Sequence, residues 1–199
     1  MNLRSFVLTA LLGLCAGCST VPRMTPEDLK TAQPLDALGL VTVSIGIGKL
    51  DPVMPAGKKV GNIYNSFGKA TAALRSGLET RGTYRKFFYE ELREAGYVTA
   101  GNETIFEARD LTKAQIIIGG DIVDAKVNIF ESMKTDTIEY GITVLWRVFD
   151  RKTEREIFQT QTGGAAKNEV FAQAEVDAFR AAFLKLLSES AFVDTLKKR

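Results

Sequence analysis

Ile138-Glu139-Tyr140-Gly141-Ile142-Thr143-Val144-Leu145-Trp146-Arg147-Val148 places Ile138, Tyr140, Ile142, Val144, Trp146 and Val148 on one side of an extended chain. A period of two with one apolar face marks a strand that is buried on that face. The polar Asp150-Arg151-Lys152-Thr153 that follows is turn-forming, and Ile157–Thr162 then predicts the returning strand of a hairpin. Upstream, the apolar run Gln115–Val123 predicts a buried strand, with a bulge or a close backbone contact at Gly119-Gly120. It continues through Ala125, Val127 and Ile129. Three antiparallel strands in sequence are the frame on which the rest must pack.

Working outward, Tyr84, Phe87, Phe88, Glu91, Leu92 and Ala95 recur at helical spacing, and Gly96 sits where a left-handed residue would end that helix. Tyr97-Val98-Thr99 then resumes an extended path. On the other side, Gly163-Gly164 predicts a break in the strand, and Val176, Phe179, Phe183, Leu186 and Leu187 form the stripe of a closing helix. Phe192, Val193 and Leu196 fasten its tail. Towards the amino terminus, Leu40–Ile47 alternates and is rich in β-branched residues, which predicts the first strand. Residues 49–67, with Pro52, Pro55, Gly57 and Gly61, read as irregular, and Lys69–Leu78 reads as a helix weakened by Gly77 and Gly82. The expected fold is α+β: a two-layer sandwich of a mostly antiparallel sheet of about four to five strands, with two main helices on one face.

The chain has 199 residues, 45% hydrophobic and 25% charged, with a formal net charge of +2. One domain with its own core fits that length and composition; a disordered chain does not. The charge balance lacks the concentrated basic face that grips nucleic acid, so no nucleic-acid partner is expected. His is absent. That removes Ser-His-Asp and Cys-His catalysis, His-ligated zinc and every imidazole acid or base.

The remaining chemistry-bearing patterns are near misses. Gly61 to Gly68-Lys69-Ala70-Thr71 has six residues between its glycines, whereas a phosphate-binding loop has four and then Ser or Thr directly after Lys. Gly46-Ile47-Gly48 lacks the third glycine of a dinucleotide fingerprint. Ser66 and Ser76 are isolated, outside any nucleophile elbow. Carboxylates are plentiful at Glu90-Glu91, Asp121, Asp124, Asp136 and Glu139; of these Asp121 interrupts an apolar strand, while Glu90 and Glu94 read as solvated helix charge. Lys58-Lys59 and Lys197-Lys198-Arg199 are short basic runs, the second facing a helix C-terminal dipole. No catalytic residue, no cofactor site and no metal site is expected from these patterns.

The amino terminus is the most specific segment. Met1-Asn2-Leu3-Arg4 is a short positive region, and Phe6–Leu14 is an apolar run of roughly nine residues, broken only by Thr9 and Gly13. A membrane-spanning helix needs about 20, so the run fits a signal-peptide core. It ends in Leu14-Cys15-Ala16-Gly17-Cys18-Ser19, which resembles a bacterial lipoprotein signal, with Cys15 standing where that pattern prefers Leu. The resemblance implies cleavage before Cys18, which then carries a diacylglyceryl thioether and an N-acyl group. With Ser19 rather than Asp after the Cys, it also implies the periplasmic leaflet of the outer membrane. A mature chain with Cys18 acylated has no thiol left for a disulfide. On this reading residues 1–17 are the signal peptide, 18–38 a lipidated tether punctuated by Pro22, Pro26 and Pro34, and 39–199 one periplasmic domain. A tether of about twenty residues spans roughly 25 Å on average and near 70 Å fully extended.

A second resemblance is broader. Phe87-Phe88-Tyr89-Glu90-Glu91-Leu92-Arg93-Glu94-Ala95-Gly96-Tyr97 followed by Ala114-Gln115-Ile116-Ile117-Ile118-Gly119-Gly120-Asp121-Ile122 is similar to a passage of YajG-like lipoproteins, the curli-secretion lipoprotein family and the amino-terminal domain of TolB. Those carry Ala-Asp where this chain has Ala114-Gln115. The likeness spans roughly residues 84–190 and implies a fold and an envelope setting, with no catalytic residue to carry over. The expected role is a non-enzymatic, outer-membrane-anchored binding or assembly module with an envelope protein partner. Two rivals stand beside it. One is a homo-oligomeric secretion pore, implied by the curli-secretion likeness, which needs membrane-spanning strands of about 9–11 alternating residues. The other is a carboxylate-dependent hydrolase built around Asp121.

Overall fold

The computed structural model describes residues 43–76, 83–100 and 113–197. Within them the order is β1 (Ile45–Pro52), β2 (Lys59–Tyr64), β3 (Ala70–Arg75), α1 (Thr83–Glu94), β4 (Ile116–Phe130), β5 (Thr137–Asp150), β6 (Arg155–Asn168), α2 (Phe171–Ser188) and α3 (Ser190–Lys197). One sheet runs β3-β2-β4-β5-β6, and β1 also pairs with β4. The β4–β5 and β5–β6 pairs are antiparallel, as the alternation of Ile138–Val148 predicts. On the other edge of β4, β1 runs parallel along Ile116–Ile122 and β2 runs parallel along Val127–Phe130. The chain leaves the sheet after Pro52 and rejoins it at Lys59, so two short strands share the length of one long neighbour.

The helices cover one face. Ile138, Tyr140, Ile142, Val144, Trp146 and Val148 are all buried, beside Ile116, Ile118, Ile122 and Val127 of β4 and Ile45 and Ile47 of β1. The inner side of α2 is made of Ala174, Ala178, Phe179, Ala182, Phe183 and Leu186, all buried. Small residues let this helix lie directly on β5 and β6. Phe88 of α1 and Phe183 of α2 stand 4.4 Å apart between ring centroids, and both approach Trp146, at 5.7 and 5.5 Å. The indole Nε1–H donates to Thr162 Oγ1 at 2.7 Å, and that hydroxyl donates to the Ala182 carbonyl at 2.6 Å. In a buried polar pair with both hydrogen bonds made the desolvation cost is offset, and here the pair also fixes β6 against α2. The predicted helix over 84–95 is α1, closed by Gly96 at φ 80°. Phe192, Val193 and Leu196 are buried along the short α3.

Three expectations are corrected. Lys69–Leu78 does not begin a helix: Ala70–Arg75 is strand β3, paired with β2, while Gly77 and Leu78 lie outside the described residues. Residues 49–67 are not irregular throughout, because β1 extends to Pro52 and β2 occupies Lys59–Tyr64. Gly163-Gly164 does not break its strand, since β6 runs unbroken through both to Asn168. The reason lies on the helix: a Cβ on Gly164 would sit 1.9 Å from the Ala178 carbonyl oxygen and 2.5 Å from the Ala182 nitrogen. Glycine there is a contact requirement of α2, not a turn signal.

One acid is drawn into the helix layer. Glu91 of α1 is buried and forms an ion pair with Arg180 of α2, whose guanidinium also lies 3.9 Å from Glu94. Burial pushes the Glu91 carboxyl above its ordinary value of 4.5; Arg180 opposes the rise, and Glu94 and Glu90 add to it. A carboxyl raised on folding contributes stability below its unfolded pKa and loses that contribution as pH rises through its folded value. The wild type is therefore expected to lose stability through Glu91 as pH rises above the ordinary value of 4.5 and through the raised folded value. Glu91→Gln should remove that part of the slope in urea melts run between pH 4 and 7; an unchanged slope would assign it to other groups.

Candidate functional site

Cys18, the residue singled out for acylation, lies outside the described residues, as do Leu40–Thr42 of the predicted first strand and Lys198 and Arg199. The other candidates are placed: Asp121, Asp124 and Glu139 fall on the sheet face opposite the helices, Glu90, Glu91 and Glu94 lie on α1, and Ser66, Ser76 and Asp136 lie outside the strands. Asp121 is held by Arg147 at 2.9 Å, and Arg147 reaches Glu156 at 3.8 Å. Asp51 stands opposite Asp121 in the β1–β4 register and is paired with Lys49 at 2.5 Å. Asp124 meets Lys58 at 3.0 Å, and Glu139 meets Lys167 at 3.5 Å. The alternation that buries β5 on one side thus lays a field of matched charges on the other. Asp136 accepts from the Ser132 amide in the β4–β5 turn, Ser76 donates to the Pro55 carbonyl, and Ser66 lies in the β2–β3 turn. Among the described residues no group of three His, Cys, Asp or Glu side chains converges as a metal site would require. An open depression at the β5–β6 turn is lined by Thr153, Arg155, Glu156 and Ile157.

The Gly61–Thr71 stretch that nearly matches a phosphate loop is a hairpin, with β2 before the turn and β3 after it. Gly61 serves β4: a Cβ there would lie 1.6 Å from the Val127 carbonyl oxygen. The hairpin carries the two features that sequence reading missed. First, β3 is the outer strand of the sheet, and its Ala70, Thr71, Ala72 and Ala73 are all exposed, with Leu74 half-buried. Sheet edges are ordinarily blunted by long charged side chains, proline or a covering element. Here the centre of the strand has only methyl groups and one hydroxyl. The opposite edge is different, because Lys185 of α2 donates to the Gly163 carbonyl and Glu189 accepts from the Thr160 hydroxyl on β6.

Second, the segment Val53–Ser76 contains Lys58, Lys59, Lys69 and Arg75 and no carboxylate, in a chain whose 26 Lys and Arg are nearly balanced by 24 Asp and Glu. Lys69 and Arg75 stand at the two ends of β3, and Lys59 is the register partner of Arg75. Of these cations the sequence reading picked out only the short run Lys58-Lys59.

The sheet end that holds the β2–β3 turn exposes large apolar side chains among its polar turn residues. Tyr64 and Phe130 stack there at 4.9 Å, Phe67 is 90% exposed at the tip of the hairpin, and Met133 is 96% exposed in the neighbouring turn. Val170 and Phe171, both exposed, follow β6 at the same end. The first described residues, Val43 to Ile45, lie at the other end beside Ile116, about 45 Å away along the 15 residues of β4.

No family model and no curated protein sequence matches the chain. Solved structures do resemble it in arrangement. A Xanthomonas campestris protein of the DUF330 family aligns at TM-score 0.42 and 8% identity, over 78% of this chain and 85% of its own. A hypothetical protein from Chlamydia trachomatis aligns at TM-score 0.35 and 12% identity, over 76% and 96%. A minor lipoprotein from Acinetobacter baumannii aligns at TM-score 0.28 and 10% identity, over 72% and 94%. Such likenesses concern the path of strands and helices and carry no role with them. The similarity to YajG-like, curli-secretion and TolB amino-terminal families continues to rest on the residues of the helix-to-strand passage alone.

Proposed function

We propose that this chain is an outer-membrane lipoprotein, anchored by acyl chains on Cys18, whose periplasmic α+β domain is a non-enzymatic binding module for another envelope component. The observation that supports this reading is Leu14-Cys15-Ala16-Gly17-Cys18 placed directly after an apolar core of signal-peptide length. Acyl chains contribute roughly 0.8 kcal/mol per buried CH₂, so one chain holds a protein only reversibly while several hold it stably. Among the described residues no helix is long and apolar enough to cross a membrane, so attachment on this reading falls to the lipid. An accessible sheet edge is suited to a binding role, since main-chain pairing recruits an extended partner without catalytic side chains.

Cys18→Ser is expected to move the protein from the membrane pellet into the soluble fraction, whereas Cys15→Ser leaves it in the pellet. A Cys18→Ser protein that still sediments with outer membranes would refute the anchor. Crosslinking of intact envelopes, followed by purification of the chain, tests the binding half: a reproducible envelope protein is expected, and a chain recovered only with itself would point to the homo-oligomeric rival.

A further inference from the structure

We infer that the outer edge of β3 accepts an extended acidic peptide as an added strand, an inference that rests on the binding-module reading and names its surface and the chemistry of its partner. Three observations converge on this edge. Among the described residues nothing pairs with the outer side of Ala70–Arg75, so its main-chain groups face solvent. Its side chains are too small to bar an approaching backbone, and the alanines leave room for bulky β-branched or aromatic side chains on the incoming strand. Its two ends are cationic, with Lys69 at one and Arg75 beside Lys59 at the other, and the segment Val53–Ser76 holds no acid to neutralise them.

The same charges decide between occupants. If two copies paired β3 against β3 about a two-fold axis through Ala72, Lys69 of each would face Arg75 of the other. Like charges directly opposite each other on adjacent strands are destabilising, and the symmetry imposes the clash twice. A strand with a carboxylate at each end, six residues apart, meets the two cations in register and supplies charge-assisted contacts to both. The exposed Phe67 and Met133 at the nearby sheet end would suit a lipid surface instead, but they lie in the turns and leave the edge itself unpaired.

The test uses the full chain in mild detergent and a blocked synthetic peptide, Glu-Val-Thr-Val-Thr-Val-Glu, read by amide hydrogen exchange. Bound peptide is expected to slow exchange at Ala70–Leu74. Replacing Lys69 and Arg75 together (K69E/R75E) should weaken that peptide at least tenfold, while Lys-Val-Thr-Val-Thr-Val-Lys should now protect the same amides. Both side chains are exposed, so the variant is expected to fold, and unchanged exchange in β5 and β6 verifies it. No protection of β3 by millimolar peptide would overturn the inference. So would protection that grows with protein concentration alone, which assigns the edge to a second copy. Protection already complete in the isolated chain at every dilution would assign it to the chain's own residues. Phosphatidylglycerol vesicles that protect residues 65–68 and 131–135, with the peptide inert, would assign this end to lipid. None of these outcomes touches acylation at Cys18 or the envelope crosslink, so the inference can fail while the proposed function stands.

Discussion

Gly164→Ala is expected to be among the most damaging single-methyl additions in the chain, costing about 3 kcal/mol or more. The added carbon would enter the backbone of α2, 1.9 Å from the Ala178 carbonyl oxygen and 2.5 Å from the Ala182 nitrogen. Neither atom is a flexible side-chain end that can swing aside. Relief requires lifting the helix from the sheet, and that would loosen buried Phe179, Phe183 and Leu186 with it. Overpacking of a close-packed core ordinarily costs about 1–3 kcal/mol, and a clash between two rigid elements belongs at or beyond the top of that range. The adjacent glycine is the control. A Cβ on Gly163 meets nothing closer than the Ile142 carbonyl oxygen at 3.5 Å, an ordinary contact. Gly163→Ala should therefore stay within about 1 kcal/mol of wild type. Urea melts of the two variants side by side check this: equal midpoints would mean that α2 does not lie on β6 as described.

Trp146→Ala is expected to cost about 3–5 kcal/mol, the range for truncating a buried aromatic. The indole touches both helices through Phe88 and Phe183 and is bonded to Thr162, so its loss opens a cavity where α1, α2 and the sheet meet. The truncation also leaves the Thr162 hydroxyl with one partner, Ala182, instead of two. Domains of this size have stabilities of roughly 5–15 kcal/mol, so the variant should sit near the edge of folding at growth temperature. Trp146→Phe keeps most of the volume and should cost clearly less. A urea midpoint for Trp146→Ala close to that of wild type would contradict the placement of this ring at the centre of the core.

The parts of the fold that were legible in the sequence are those where one strand or helix face is buried against many neighbours. Ile138 to Val148 alternate because every second side chain meets the helix layer, and Phe88, Glu91 and Leu92 recur because α1 presents one stripe to the interior. β3 left no such trace. Its side chains are nearly all exposed, so no alternation is imposed on Ala70-Thr71-Ala72-Ala73, and alanine by itself favours a helix. Tertiary pairing with β2 overrides that preference. Gly163-Gly164 misled for a related reason, since the requirement for glycine comes from a helix that begins at Phe171 and no local pattern reports it.

The candidate site divides in the same way. A lipid signal is a local chemical pattern, read by a peptidase as sequence, and Leu14–Cys18 is therefore visible without any structure. A strand-accepting edge works through main-chain groups common to every residue. It becomes visible only when the sheet order puts β3 on the outside and the register brings Lys59, Lys69 and Arg75 to its ends. Asp121, which stood out as an acid in an apolar run, is explained once β5 supplies Arg147 as its diagonal neighbour.

The most direct test of the account is mass spectrometry of the amino-terminal peptide from protein purified out of the membrane fraction. A chain that begins at Cys18 with a diacylglyceryl thioether and an amide-linked acyl group is the predicted result. A free Cys18 thiol, or a chain that still begins at Met1, would contradict it.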